Sequence, residues 1–202
     1  MSDHPSTDEP FGAPLGAAER MTLDEYRRRA AAGAFSTSQA FELLEGVVVP
    51  KTRQTLRHET AVEKLRDLIG IMIPNGWHLL AQQPIACGDS QPEPDLAVAA
   101  DVLNEFANHP PTAENVPLVV EAADGSLLSD RKLKGRIYAR AGIVCYWLLN
   151  LIDSQLEVYT NPSGPVPMPG YQEKRVYRTE DRISLVIALD DLGTLRIGDI
   201  LP

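Results

Sequence analysis

Two acidic residues sit where apolar runs begin and end. Asp95 follows Glu93 and Pro94 and opens onto Leu96-Ala97-Val98-Ala99, while Glu121 closes the run Leu118-Val119-Val120. Side chains alternate along a strand, so Asp95, Ala97 and Ala99 share one face, as do Val119, Glu121 and Ala123. Antiparallel pairing of these strands sets the two carboxylates close together. Like charges that close raise the pKa of one of them unless a cation intervenes. Mg²⁺, with Mn²⁺ as a substitute, is the hard cation that takes carboxylate oxygens in this way. Lys134 is the third candidate, about a turn into the next helix and bordering the face that carries Leu133 and Ile137. An ammonium leaning over the strand ends orients a water or offsets charge on a pentacovalent phosphate.

Each residue alone has a plainer reading. Asp95 serves as a turn residue at a strand entry. Glu121 needs a partner in a buried strand, because a lone carboxylate is costly there, and a salt bridge to Lys132, Lys134 or Arg136 would supply one. Lys134 by itself is a helix lysine whose stem covers the core. Convergence of all three is what separates chemistry from architecture.

The elements that must position them follow from periodicity. Thr22 caps a short helix that ends at Gly33, and residues 41 to 49 form two short strands turning near Gly46. From His58 to Ile73 the apolar residues Ala61, Val62, Leu65, Leu68, Ile69 and Met72 recur at helical spacing, closed by Pro74-Asn75-Gly76. Strands are expected at 77 to 85, 96 to 100 and 118 to 122, then a helix over 129 to 141 ended by Gly142, then a strand at 145 to 150. The step from the strand ending at Glu121-Ala122 through that helix to the next strand is a βαβ crossover. Residues 156 to 159, 176 to 178 and 183 to 187 add antiparallel strands at one side, with an exposed Pro- and Gly-rich loop over 161 to 171. The class is therefore α/β, a mixed β-sheet flanked by helices with extra antiparallel strands.

The 202 residues, 44% hydrophobic, suit one domain over 21 to 202 behind a disordered leader, residues 1 to 20, rich in Pro, Ser, Asp and Gly. A net charge of −9 gives no overall attraction to nucleic acid, so a polyanion must meet a local basic patch or a bound cation. Arg131, Lys132 and Arg136, beside the candidate centre, are the expected phosphate contacts, although such runs are usually solvated helix faces. Cys87 and Cys145 match no metal-ligand spacing and read as reduced core thiols. With no signal-like segment and no run of about 18 apolar residues, the expected protein is cytoplasmic and free of the membrane.

The ordered motifs carry a resemblance over residues 21 to 202. PheGluLeuLeuGluGly at 41 to 46, His58, GluProAspLeuAlaVal at 93 to 98 and ValValGluAlaAlaAspGlySerLeu at 119 to 127 are followed by AspArgLysLeuLysGlyArgIleTyrAlaArgAlaGlyIle at 130 to 143, TyrTrpLeuLeuAsn at 146 to 150 and the terminal IleLeuPro. Together they are similar to the Uma2 family of bacterial endonuclease-like proteins, which has the PD-(D/E)XK restriction-endonuclease-like core. The resemblance implies a Mg²⁺-dependent endonuclease acting on DNA, with a homodimer among the arrangements such enzymes use. It puts Asp95 and Glu121 at the metal-binding positions, with the backbone carbonyl of Ala122 completing the site. Lys134 matches the family lysine four residues before Tyr138, and Glu42 and His58 stand as auxiliary residues. Two positions depart from the pattern. Ala123 stands where the fold's general motif has lysine, so Lys134 must substitute from the helix, and Cys145 stands where the family often has an acid. A nuclease-like fold that only binds nucleic acid or protein is the alternative, and a metal-dependent hydrolase of another substrate is a third reading.

Overall fold

The computed structural model describes residues 20–35, 40–51, 53–100 and 110–202. Apart from Arg20, the expected leader lies outside the described residues. Helix α1 (Leu23–Ala31) starts where Thr22 accepts the Glu25 N–H at 3.2 Å. Strands β1 (Phe41–Leu44) and β2 (Val47–Pro50) form a hairpin. Its two turn residues, Glu45 and Gly46, both have left-handed φ, the twist that closes a two-residue hairpin.

Helix α2 (Leu56–Met72) begins two residues before the expected start at His58, because Thr55 is its cap and accepts the His58 N–H at 3.2 Å. Strand β3 (Trp77–Ala81) stops well short of Ile85, since Gln82 takes a left-handed φ of 50° and turns the chain. Strands β4 (Leu96–Ala100), β5 (Leu118–Ala123), β6 (Cys145–Asn150), β7 (Gln155–Pro162) and β8 (Tyr171–Arg178) join it in one sheet, in the order β3-β4-β5-β6-β7-β8. Only β5 and β6 run parallel. Their crossover is the helix α3, made of an α-helical turn (Leu127–Ser129), a π-helical stretch (Asp130–Lys134) and a second α-helical part (Gly135–Ala141). Gly142, at φ 85°, ends it as expected.

Strand β9 (Arg182–Ile187) does not extend the main sheet. It pairs with β10 (Asp190–Arg196), which the polar sequence Asp190-Asp191 and Gly193 had hidden, and the short helix α4 (Ile197–Ile200) follows. The hairpin serves instead as a cover: Ile183, Leu185, Ile187 and Leu195 pack with Ala61, Leu65 and Ile69 of α2 on one face of the sheet, over Leu96, Val98, Val120 and Trp147. Ile137 and Tyr138 of α3 cover the other face, over Ala97, Ala99, Val119 and Tyr146. The central strands β4, β5 and β6 are thus buried on both faces and are nearly apolar for that reason, whereas the edge strand β8 is exposed and charged. A carboxylate inside such a strand must be met by something polar.

Candidate active site

Antiparallel pairing of β4 and β5 puts Leu96 opposite Val120, so Asp95 and Glu121 come next on either side of the last cross-strand pair. They occupy the expected shared end, where a cleft of about 220 Å³ opens. Asp95 is fixed by the backbone and by α2: its Oδ2 accepts the Ala122 N–H at 2.8 Å and lies 2.9 Å from His58 Nε2. Among the described residues its Oδ1 has only a long contact, 3.4 Å, from Gln54 Nε2. His58 Nδ1 is buried and has no hydrogen-bond partner among the described residues.

Glu121 is 3% exposed. Its Oε1 accepts from Lys134 Nζ at 2.9 Å and from the Tyr138 hydroxyl at 2.7 Å. Lys134 Nζ also lies 3.1 Å from Glu42 Oε1 and 3.9 Å from Asp130 Oδ1. Glu42 is held in place by the Glu93 N–H, 2.7 Å from Oε1, and Asp130 by the Ser126 hydroxyl. Asp95, Glu121, Lys134, Glu42 and His58 therefore all line one cleft, together with Asp130, which the sequence reading missed. Its signal was there: Asp130 precedes Lys134 by four residues, the spacing at which helix side chains are neighbours.

Six carboxylates line this cleft, those of Glu42, Glu93, Asp95, Glu121, Asp124 and Asp130, against the cations of Lys51, Arg53 and Lys134. Burial, reinforced by Asp130, Asp95 and Glu42, pushes the Glu121 carboxyl up to about 8 even though Lys134 pulls the other way. Burial likewise raises Asp130, against Lys134 and Ser126. Burial by itself would lower the pKa of Lys134, but Glu121, Glu42 and Asp130 outweigh it and hold the ammonium well above the usual lysine range. Tyr138 is raised well above its ordinary value by burial and then by Glu121, so it remains a hydroxyl donor.

Among the described residues no three or more His, Cys, Asp or Glu side chains gather as a ready-made metal cage. Mg²⁺ does not require one, because it binds through one or two carboxylates and keeps several waters. The donor set fits that ion: hard oxygens, with an excess of negative charge that already drives Glu121 toward protonation. Glu121 Oε2 and Asp95 Oδ1 are the oxygens left over after the short hydrogen bonds are made.

The other basic residues of α3 do not line the cleft. Arg131 Nε donates to Glu157 Oε2 at 3.1 Å and its Nη2 to Oε1, and Arg136 and Arg140 both donate to Glu45, at 2.6 and 2.7 Å. Lys132 is exposed, and none of Arg131, Lys132 and Arg136 lines the cleft. Cys87 and Cys145 are unpaired thiols, each pushed up to about 12 by burial.

A mixed sheet covered by helices on both faces, with two acids and a lysine meeting beside one strand pair, defines the restriction-endonuclease-like class of nuclease folds. Residues 23–197 match the family model of Uma2, described as "putative restriction endonuclease", and the chain belongs to that family. Among solved structures it is similar to "a putative nuclease belonging to DUF820" from Anabaena variabilis ATCC 29413, with a TM-score of 0.66 at 17% identity, covering 89% of this chain and 97% of that one. At that identity the likeness is one of fold. No curated protein matches the chain. Among the described residues no helix is long and apolar enough to cross a membrane.

Proposed function

We propose that this nuclease-family chain is a metal-dependent endonuclease hydrolysing DNA phosphodiester bonds in the cleft. One observation carries the reading: Asp95, Glu121 and Lys134 meet in a single cleft whose carboxylates outnumber its cations. Asp95 and Glu121 are the residues that would hold Mg²⁺, or Mn²⁺ in its place, with the Ala122 carbonyl as a further oxygen. When bound, such a cation supplies positive charge to the phosphodiester and acidifies a water.

The chain's own groups then divide the work. The Ala122 N–H and His58 hold Asp95 by Oδ2, leaving Oδ1 for ligation. Tyr138 and Lys134 both bond Oε1 of Glu121, which leaves Oε2 for ligation. Lys134 has three N–H donors, and Glu121 and Glu42 take two of them. The third is left for the attacking water or a non-bridging phosphoryl oxygen. Its neighbours keep the ammonium protonated, so Lys134 works as a fixed positive donor rather than as a base.

Supercoiled plasmid and single-stranded DNA, incubated with the protein in Mg²⁺, Mn²⁺ or EDTA, test the reading directly. Metal-dependent nicking that Glu121→Ala abolishes, with the variant still folded, is the expected outcome. Ala123, standing where the fold's general motif has lysine, favours a second reading, a nuclease-like fold that binds without cutting. That reading prevails when wild type neither cuts nor shows saturable Mg²⁺ or Mn²⁺ binding.

A further inference from the structure

The cleft is acidic within, so a polyanionic substrate needs cations at its mouth. The basic residues of α3 that the sequence offers for this purpose are the poorer candidates, since Arg131 is tied to Glu157 and both Arg136 and Arg140 to Glu45. Within the cleft Lys134 is held by Glu121 and Glu42, and Lys51 lies 3.3 Å from Glu93. Arg53 is different. It lines the cleft, is exposed, and has no carboxylate partner among the described residues. It lies in the connection from β2 to α2, a stretch that also carries the cleft-lining Gln54 and Thr55.

Arg57 stands one helical turn further along, at the start of α2, with its side chain 56% exposed. Its Nη2 donates to the Leu151 carbonyl at 3.0 Å, and its Nη1 is a distant 3.9 Å from Asp124, itself a cleft residue. One carbonyl therefore aims the guanidinium without neutralising it. Thr55 donates to the same Asp124 at 2.8 Å, which ties the loop after β5 to the start of α2 and fixes this side of the cleft mouth. An exposed arginine on the lining and an aimed one beside it are what a phosphate backbone requires. Arg57 is not among the residues that line the cleft, so it adds a contact beyond it.

We propose that the connection from β2 to α2, through Arg53 and Arg57, is the contact surface for the phosphate backbone of duplex DNA at this cleft. The proposal rests on the nuclease reading for its substrate and adds where that substrate is gripped. Contacts of this kind position the duplex and carry no sequence preference.

The test is fluorescence anisotropy of two labelled DNA duplexes of unrelated sequence, in Ca²⁺, over a series of salt concentrations, with plasmid nicking in Mg²⁺ run in parallel. The variants are Arg53→Ala and Arg57→Gln, with Arg136→Ala as comparison. The expected result is that each of the first two weakens both duplexes equally and lowers the slope of log affinity against log salt by about 0.9, while Arg136→Ala leaves it unchanged. A slope untouched by Arg53→Ala and Arg57→Gln overturns the proposal, and it does so while wild-type nicking leaves the nuclease reading standing. Duplex binding with the expected slope changes but no nicking in any metal supports this surface and overturns the cleavage. Absence of duplex binding by wild type overturns the surface outright.

Discussion

Glu121 and Glu157 are both glutamates on the main sheet, 3% and 0% exposed, yet the protein treats them in opposite ways. Glu157 has more partners than it needs: Arg131 through two nitrogens, Lys174 at 2.7 Å, the Tyr159 hydroxyl at 2.6 Å and the Asn150 amide at 3.2 Å. Burial alone would raise its pKa, but Arg131, Lys174, Tyr159 and Asn150 bring it down to about 2. Glu121 is given one lysine, shared with Glu42 and Asp130, and is pushed up to about 8. A buried carboxylate kept for architecture is over-satisfied. On the function proposed above, Glu121 is left short of positive charge, and that shortfall would draw a cation in.

The comparison is broken most directly by exchanging the penalties. Glu121→Ala or Asp95→Ala is expected to reduce metal-dependent nicking about a thousandfold, with the circular dichroism spectrum unchanged. Glu157→Gln leaves nicking within a few-fold. Urea denaturation should rank the two sites the other way round. Glu157→Gln leaves Arg131 and Lys174 without their anion and costs about 3 kcal/mol, and a loss near zero would show that the network contributes little.

Titration sharpens the contrast, because the signs are opposite. The folded pKa of Glu157, about 2, lies below its ordinary 4.5, so its stabilising contribution is present above pH 4.5 and is lost as pH falls toward 2. Glu121, at about 8, lies above its ordinary 4.5, so the folded metal-free protein holds an extra proton and loses stability as pH rises from 4.5 to 8. On the proposed function Mg²⁺ would displace that proton on binding Glu121. Its affinity, measured by calorimetry, should therefore rise about tenfold per pH unit up to about 8 and then level off. An affinity flat across pH 6 to 8 would mean that Glu121 is not the group displaced. The smallest expected effect is that of Tyr138→Phe, which removes one hydrogen bond to Glu121 Oε1 and should weaken Mg²⁺ binding by several-fold without altering nicking on saturation.

Much of this site was legible because strand parity is a local property. Residues 95 to 99 and 119 to 123 contain all that is needed to say which side chains share a face, and the β4–β5 pairing brings Asp95 and Glu121 to one end as that parity implies. Lys134 was legible as a face position on α3. The opposite holds for the charges that come from elsewhere in the chain. Arg131 and Arg136 look uncommitted in sequence because Glu157 and Glu45, which engage them, are remote, and neither carboxylate advertises its partner. Strand β10 was hidden for a related reason. Its partner β9 and the apolar face of α2 give Leu195 a place that its own polar neighbours do not suggest.

The π-helical stretch of α3 gives the chain one residue more per turn than an α-helix would use, with the Gly135 N–H reaching back to the Asp130 carbonyl. Asp130 and Lys134 within it address the cleft, Arg131 addresses Glu157, and Ile137 and Tyr138 beyond it address the sheet. The surplus residue acts like an offset between two gears, letting the polar half and the apolar half of one helix be indexed separately. Deleting a single residue between 130 and 134 would close the stretch into a regular α-helix and change how Asp130 and Lys134 are aimed relative to each other. Shortening the helix by one position would therefore be more damaging to the site than most substitutions within it.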